Sequence, residues 1–243
     1  MKILSDSRID DGVLEHDIAV GEAPGILWTP PGPGPAPLIL LGHPGGLNAM
    51  TPRLRTRALD AARAGFASAA IELPGSGGRP PLPGVDQARH DLQRAIRAGE
   101  PVSDDVVDRL ILPLADAAVP EWRAALDELL ALPGLTGPVG IAGGVVSIGV
   151  RMAAEDPRVA AAVLFAGSFV PRRILAEARA VTVPVLMLLQ WDDEHNDRRA
   201  ALDLFDALGS AEKTLHANTG GHTGVPRFEG ESTNRLFTRH LRR

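Results

Sequence analysis

The chain has 243 residues, 44% hydrophobic and 23% charged, with a net charge of −5 and no cysteine. Those proportions suit a folded globular chain and exclude disorder, collagen and coiled coil as descriptions of the whole. The acidic balance leaves no basic footprint for nucleic acid, and the missing cysteines remove disulfides, thiolate metal ligands and a catalytic thiol.

The longest apolar stretches, such as Ala160 to Gly167, have the length of a buried strand, against the ~20 residues of a membrane-spanning helix. The first residues, Met1-Lys2-Ile3-Leu4-Ser5-Asp6, turn polar at once and lack the apolar core of a signal peptide, so no membrane contact and a cytoplasmic location are expected. The length fits one α/β domain over 1–243.

Along the chain, Val13 to Val20 and Gly25 to Thr29 read as a pair of strands, followed by the Pro/Gly tract from Pro30 to Pro37. That tract reads as a loop, because too little chain precedes it to bury a core. Pro37 to Leu41 is a continuous apolar run, the mark of a strand covered on both faces. A helix over Pro52 to Ala64 and a strand over Ala67 to Leu73 follow. From 85 to 132 no strand is expected. Asp86 to Arg97, Ser103 to Leu112 and Pro120 to Leu132 are amphipathic helical stretches, with Ser103 at a capping position. Alternation then resumes. Strands are expected over Pro138 to Ala142, Val159 to Ala166, Val183 to Gln190 and Lys213 to Ala217, and helices over Ser147 to Glu155, Pro171 to Ala178, Arg198 to Leu208 and Thr233 to Leu241. Repeated βα units predict a mainly parallel sheet with helices on both faces, and the segment 85–132 as a helical excursion from it.

Ligands of such sheets bind beyond the carboxyl ends of the strands. The segments there are Gly42-His43-Pro44-Gly45-Gly46, Pro74-Gly75-Ser76-Gly77, Gly143-Gly144-Val145-Val146-Ser147-Ile148-Gly149, Gly167-Ser168, Trp191-Asp192-Asp193-Glu194-His195 and Asn218-Thr219-Gly220-Gly221-His222-Thr223-Gly224. Glycines and polar groups converge on one end of the sheet.

From about Gly25 to the C-terminus the chain resembles the α/β-hydrolase family, in particular its dienelactone-hydrolase-like branch. Gly42-His43-Pro44-Gly45-Gly46 is similar to the oxyanion loop, and Glu72-Leu73-Pro74-Gly75-Ser76-Gly77 to the acidic-x-Pro-Gly-x-Gly turn. Asp193 matches the acid after the penultimate strand and His222 the histidine after the last. The order nucleophile, acid, histidine is the family's order. The resemblance implies a hydrolase of a small ester, lactone or related acyl compound, with no cofactor and a small molecule as substrate. Oligomeric state is left open, a homodimer included.

The nucleophile departs from the family pattern of small-x-nucleophile-x-small. In one register Ser147 attacks, with Gly149 in place but Val145 where a small residue belongs. In the other, Gly143 and Ser147 are the small positions and Val145 stands where the nucleophile should be. A β-branched residue at positive φ is an outlier, which counts against Val145 at a strained tip; crowding by Val145 counts against Ser147. The plainer role for Ser147 is in the first turn of a helix. Backbone N–H groups near Gly45 and Gly46, and in Gly144-Val145-Val146, are the expected oxyanion donors. His43 is expected to brace that loop. His222 lies in a glycine-rich loop able to aim its ring, and Asp193, with Asp192 as runner-up, would hold that ring. Asp192, Asp193, Glu194, His195 and Asp197 cluster without the ligand spacing of a metal site, so no metal is expected. If Val145 occupies the tip, the alternatives are an Asp193–His222 pair acting on water, or a ligand binder without catalysis.

Overall fold

The apolar runs assigned to doubly covered strands form the middle of one nine-stranded sheet. The computed structural model describes residues 1–167, 169–194 and 196–242, so Ser168 and His195 lie outside the described residues. The strands are β1 (Lys2–Arg8), β2 (Leu14–Val20), β3 (Ala23–Thr29), β4 (Ala36–Gly42), β5 (Ala67–Ile71), β6 (Leu135–Gly143), β7 (Val159–Phe165), β8 (Val185–Gln190) and β9 (Lys213–Asn218). Their spatial order is β1-β2-β3-β5-β4-β6-β7-β8-β9. The pairs from β1 through β3 to β5 are antiparallel, and every pair from β5 through β4 to β9 is parallel.

The helices are α1 (Leu47–Arg63), α2 (Val85–Ala98), α3 (Asp104–Leu130), α4 (Val146–Glu155), α5 (Arg172–Glu177), α6 (Arg198–Ala207) and α7 (Phe228–Leu241). Successive residues of β4 divide between two apolar layers, as the strand period of two requires. Leu38 and Leu40 join Trp122 and Leu126 of α3, while Ile39 and Leu41 join Leu54 and Ala58 of α1 and Phe237 of α7. None of the helices among the described residues is long and apolar enough to cross a membrane.

Several elements differ from the sequence expectation: α7 starts at Phe228 and β6 at Leu135, earlier than expected, and three others differ for reasons the structure shows. Strand β1 pairs with β2 although all seven of its residues are exposed, so neither face carries an apolar alternation. Helix α1 begins at Leu47, five residues before Pro52, and continues through it. Its first N–H is capped by the carboxylate of Glu72, 2.9 Å from Leu47 N, a partner on another element. The two helices expected over 103–112 and 120–132 are one helix, α3, with Pro113 and Pro120 inside. Each proline removes a backbone hydrogen bond. The buried stripe of Val107, Ile111, Ala115, Val119, Trp122, Leu126 and Leu129 runs unbroken past both, and its burial offsets that loss.

Asp156, which ends α4, is a charge that the fold depends on. Its side chain is 1% exposed and accepts from Arg158 N at 3.0 Å, Nε at 2.8 Å and Nη2 at 2.6 Å. These bonds hold its carboxyl below the usual carboxylate range. A depressed folded-state pKa stabilises fully above the unfolded value of about 3.9 and is lost as pH falls through the folded value. Asp156→Asn is therefore expected to cost about 1–3 kcal/mol at pH 7. The gap from wild type should close below about pH 3.9, as thermal melts across pH 2–7 will show.

Candidate active site

Strand order reverses at β4. The chain steps from β4 to β5 on one side and returns to β6 on the other, leaving β4 and β6 adjacent and parallel. Such a switch point is where open parallel sheets bind ligands. The strand ends that meet there are Gly42 and Gly143, which are register partners.

The turn out of β6 takes its strain on two glycines. Gly143 has φ 71° and Gly144 φ 82°. A Cβ at Gly144 would lie 2.7 Å from Gly42 Cα and 2.8 Å from His43 N, so only glycine fits between the strand ends. Val145 follows with φ −72° and ψ 114°, an ordinary extended conformation, and caps α4. This corrects the expectation that a β-branched residue here would be strained: the positive φ angles fall on Gly143 and Gly144, upstream of Val145. The Val145 side chain lines a small cavity with His43, Leu73, Trp122 and Ile148. At about 10 Å³ the cavity is close to the room one water needs.

Val146 opens α4 and Ser147 is its second residue. Ser147 is 0% exposed, and its Oγ has no hydrogen-bond partner among the described residues. The structure therefore does not join Ser147 to His222.

On the β4 side, Gly45 and Gly46 lead into α1, with Gly46 at the capping position. The buried His43 ring braces this loop, as expected. Its Nδ1 faces Gly45 O and its Nε2 lies 2.9 Å from Ile71 O. Glu72 adds a second brace. One of its carboxylate oxygens caps α1, and the other accepts from Leu73 N at 3.2 Å.

The acid and the histidine do meet. His222 Nδ1 lies 2.8 Å from Asp193 Oδ2, with the Asp193 side chain 4% exposed and that of His222 34%. An Nδ1–H donated to a buried carboxylate fixes the tautomer and leaves Nε2 as the basic nitrogen. The neighbouring acids hold the same loop. Asp192 Oδ2 accepts from Gly220 N at 3.2 Å and Glu194 Oε2 from His222 N at 3.3 Å. The acidic run thus ties the β8 loop to the β9 loop.

Asn196 completes this arrangement and was not singled out from sequence. Its Nδ2 donates to Asp193 Oδ2 at 3.0 Å and stands 3.2 Å from His222 Nδ1. The available signal was an amide three residues after the acid, in the same loop. His216 also lacked a signal: Glu229 Oε2 accepts from its Nδ1 at 2.8 Å, linking β9 to α7. Among the described residues no group of three or more histidines and carboxylates is placed to hold a metal ion.

No protein-family model matches the chain, and no curated protein matches it. Solved structures do. A cold-adapted esterase from an Arctic intertidal metagenomic library is 29% identical, covers 99% of this chain and 100% of its own, and superposes with a TM-score of 0.77. A dienelactone hydrolase from Anabaena variabilis is 22% identical over 94% of this chain and 99% of its own, with a TM-score of 0.64. Acetyl xylan esterase 1 from Thermoanaerobacterium is 16% identical over 97% of this chain and 87% of its own, also with a TM-score of 0.64. With its switch point, glycine turn and acid–histidine order, the chain has the α/β-hydrolase fold.

Proposed function

We propose that this protein hydrolyses a small ester, lactone or related acyl compound, with Asp193 and His222 as its proton-transfer pair. The observation that carries the reading is the 2.8 Å bond from the His222 ring to the buried Asp193 carboxylate, at the carboxyl end of the sheet. The likeness to the esterase at 29% identity over nearly the whole of both chains supports ester chemistry.

The reaction follows from the pair. His222 Nε2 takes a proton from the nucleophile as its oxygen attacks the acyl carbon. The carbonyl π electrons move onto oxygen, and backbone N–H groups of Gly45 or Gly46 and of the turn after β6 hold that oxyanion. On collapse the carbonyl re-forms and the C–O bond to the leaving alcohol breaks. The alkoxide takes the proton from the His222 imidazolium, while Asp193 stays ionised throughout.

Two nucleophiles fit this scheme, Ser147 and water. The burial of Ser147 Oγ, and its lack of a partner among the described residues, favour water. Direct attack by water yields acid and alcohol in one displacement, with no acyl-enzyme.

The test is pre-steady-state turnover of an activated short-chain ester, with intact-mass measurement after rapid quenching. Product is expected to accumulate linearly from the first turnover, without an acyl adduct. A burst of one equivalent with an acyl group on Ser147 would restore the serine mechanism. An adduct on another serine, such as the one at position 168, would reassign the nucleophile.

A further inference from the structure

At the switch point α1 places a guanidinium against the backs of both loops. Arg57 Nη1 donates to Gly42 O at 3.1 Å and Nη2 to Ala142 O at 2.7 Å. These carbonyls belong to the last residue of β4 and the last but one of β6. Gly42 leads into the oxyanion loop, and Ala142 leads into Gly143-Gly144-Val145. The fork also fills the space beside the turn: a Cβ at Gly143 would lie 2.9 Å from Nη2 and 3.0 Å from Nη1.

No carboxylate pairs with Arg57 among the described residues. Burial pushes the guanidinium down to about 10, so it keeps its charge at neutral pH. A half-buried cation without a counter-charge carries a desolvation cost, and an apolar residue of similar volume often fills such a place with less penalty. What an apolar side chain cannot do is bond two carbonyls on neighbouring strands at once.

We propose that Arg57 is a positioning residue that clamps the oxyanion loop to the turn after β6. Oxyanion donors act only when held to within about half an ångström of their productive position, about 2.7–3.1 Å from the developing charge. The two sets of donors come from different strands, and the Arg57 fork links the ends of those strands. It also polarises the two peptide groups whose carbonyls it binds, strengthening the N–H groups of His43 and Gly143 as donors. The kinetic consequence rests on the ester-hydrolase reading; the clamp itself does not.

The experiment compares wild type with Arg57→Met and Arg57→Lys by three readouts: kcat and KM on an activated ester, the thermal midpoint, and amide hydrogen exchange of peptides spanning 42–47 and 143–147. Arg57→Met is expected to lower kcat by about 10–100-fold with KM within about threefold, since misplacement without direct contact costs that much. Its thermal midpoint should hold or rise as the unpaired charge leaves the interior. Exchange should quicken in both segments and stay unchanged in β8 and α7. Arg57→Lys, which keeps the charge and can reach one carbonyl, should fall between, and it serves as the test variant if the methionine protein does not fold. Unchanged exchange in either segment would overturn the clamp. Faster exchange with an unchanged kcat would overturn its role in positioning. A fall in kcat matched by a lower midpoint and faster exchange throughout would reduce Arg57 to a structural residue. If wild type hydrolyses no ester, the functional reading fails, and the exchange data alone decide the clamp.

Discussion

Alanine at position 222 is expected to reduce turnover of an activated ester by about 10³-fold, close to 4 kcal/mol of barrier, while Ser147→Ala costs less than about threefold. The contrast follows from where the two side chains stand. His222 presents a ring whose Nδ1 is bonded to Asp193 and whose side chain is about one-third exposed. Ser147 is closed inside the first turn of α4, its hydroxyl without a hydrogen-bond partner among the described residues. Removing an unbonded buried hydroxyl takes little from the fold, and Ala is the better helix former, so Ser147→Ala should melt within about a degree of wild type or above it. Were Ser147 the nucleophile, both variants would lose activity by similar factors, because members of a triad act as a unit. Steady-state kcat/KM for the two variants distinguishes these outcomes.

Asp193→Asn is expected to cost about 10³–10⁴-fold in kcat with the fold intact. The carboxylate accepts the Nδ1–H of His222 and makes Nε2 the nitrogen that takes a proton. An amide in the same place can donate to Nδ1, which drives the ring proton to Nε2 and removes the base. The loss should appear in kcat more than in KM, since the ring remains in place. Asn196, which donates to the same carboxylate oxygen, would have no charged acceptor left. A residual rate above one-tenth of wild type would mean that Asp193 does not set the tautomer.

The sheet was legible where strands are covered on both faces. Pro37 to Leu41 and Val185 to Leu189 are continuous apolar runs because layers of helices bury both sides, and β4 and β8 lie there. Strand β1 was not legible for the opposite reason: both of its faces meet solvent, so no period of two is written into it. The start of α1 was hidden because its cap is Glu72, on another element, and no local side chain marks it. In α3 the prolines suggested an end that tertiary packing overrides.

The site divides in the same way. His222 and Asp193 could be named because position after a strand and a glycine-rich loop are local properties. The turn after β6 could not be settled, because two successive glycines take up the positive φ that either register would have demanded of a later residue. Asn196 and Arg57 act through contacts made only in three dimensions. In the sequence, Arg57 is one of several arginines on α1 and looks like a solvated charge. Only the fold shows it reaching the ends of β4 and β6.

The most direct measurement is the initial rate of activated-ester hydrolysis by wild type, His222→Ala, Asp193→Asn and the double variant, side by side against buffer. The wild-type rate is expected to stand well above buffer and the double variant to be no slower than His222→Ala alone, because the pair works as one proton-transfer unit. A wild-type rate equal to buffer, or losses from the two single variants that multiply in the double, would contradict it.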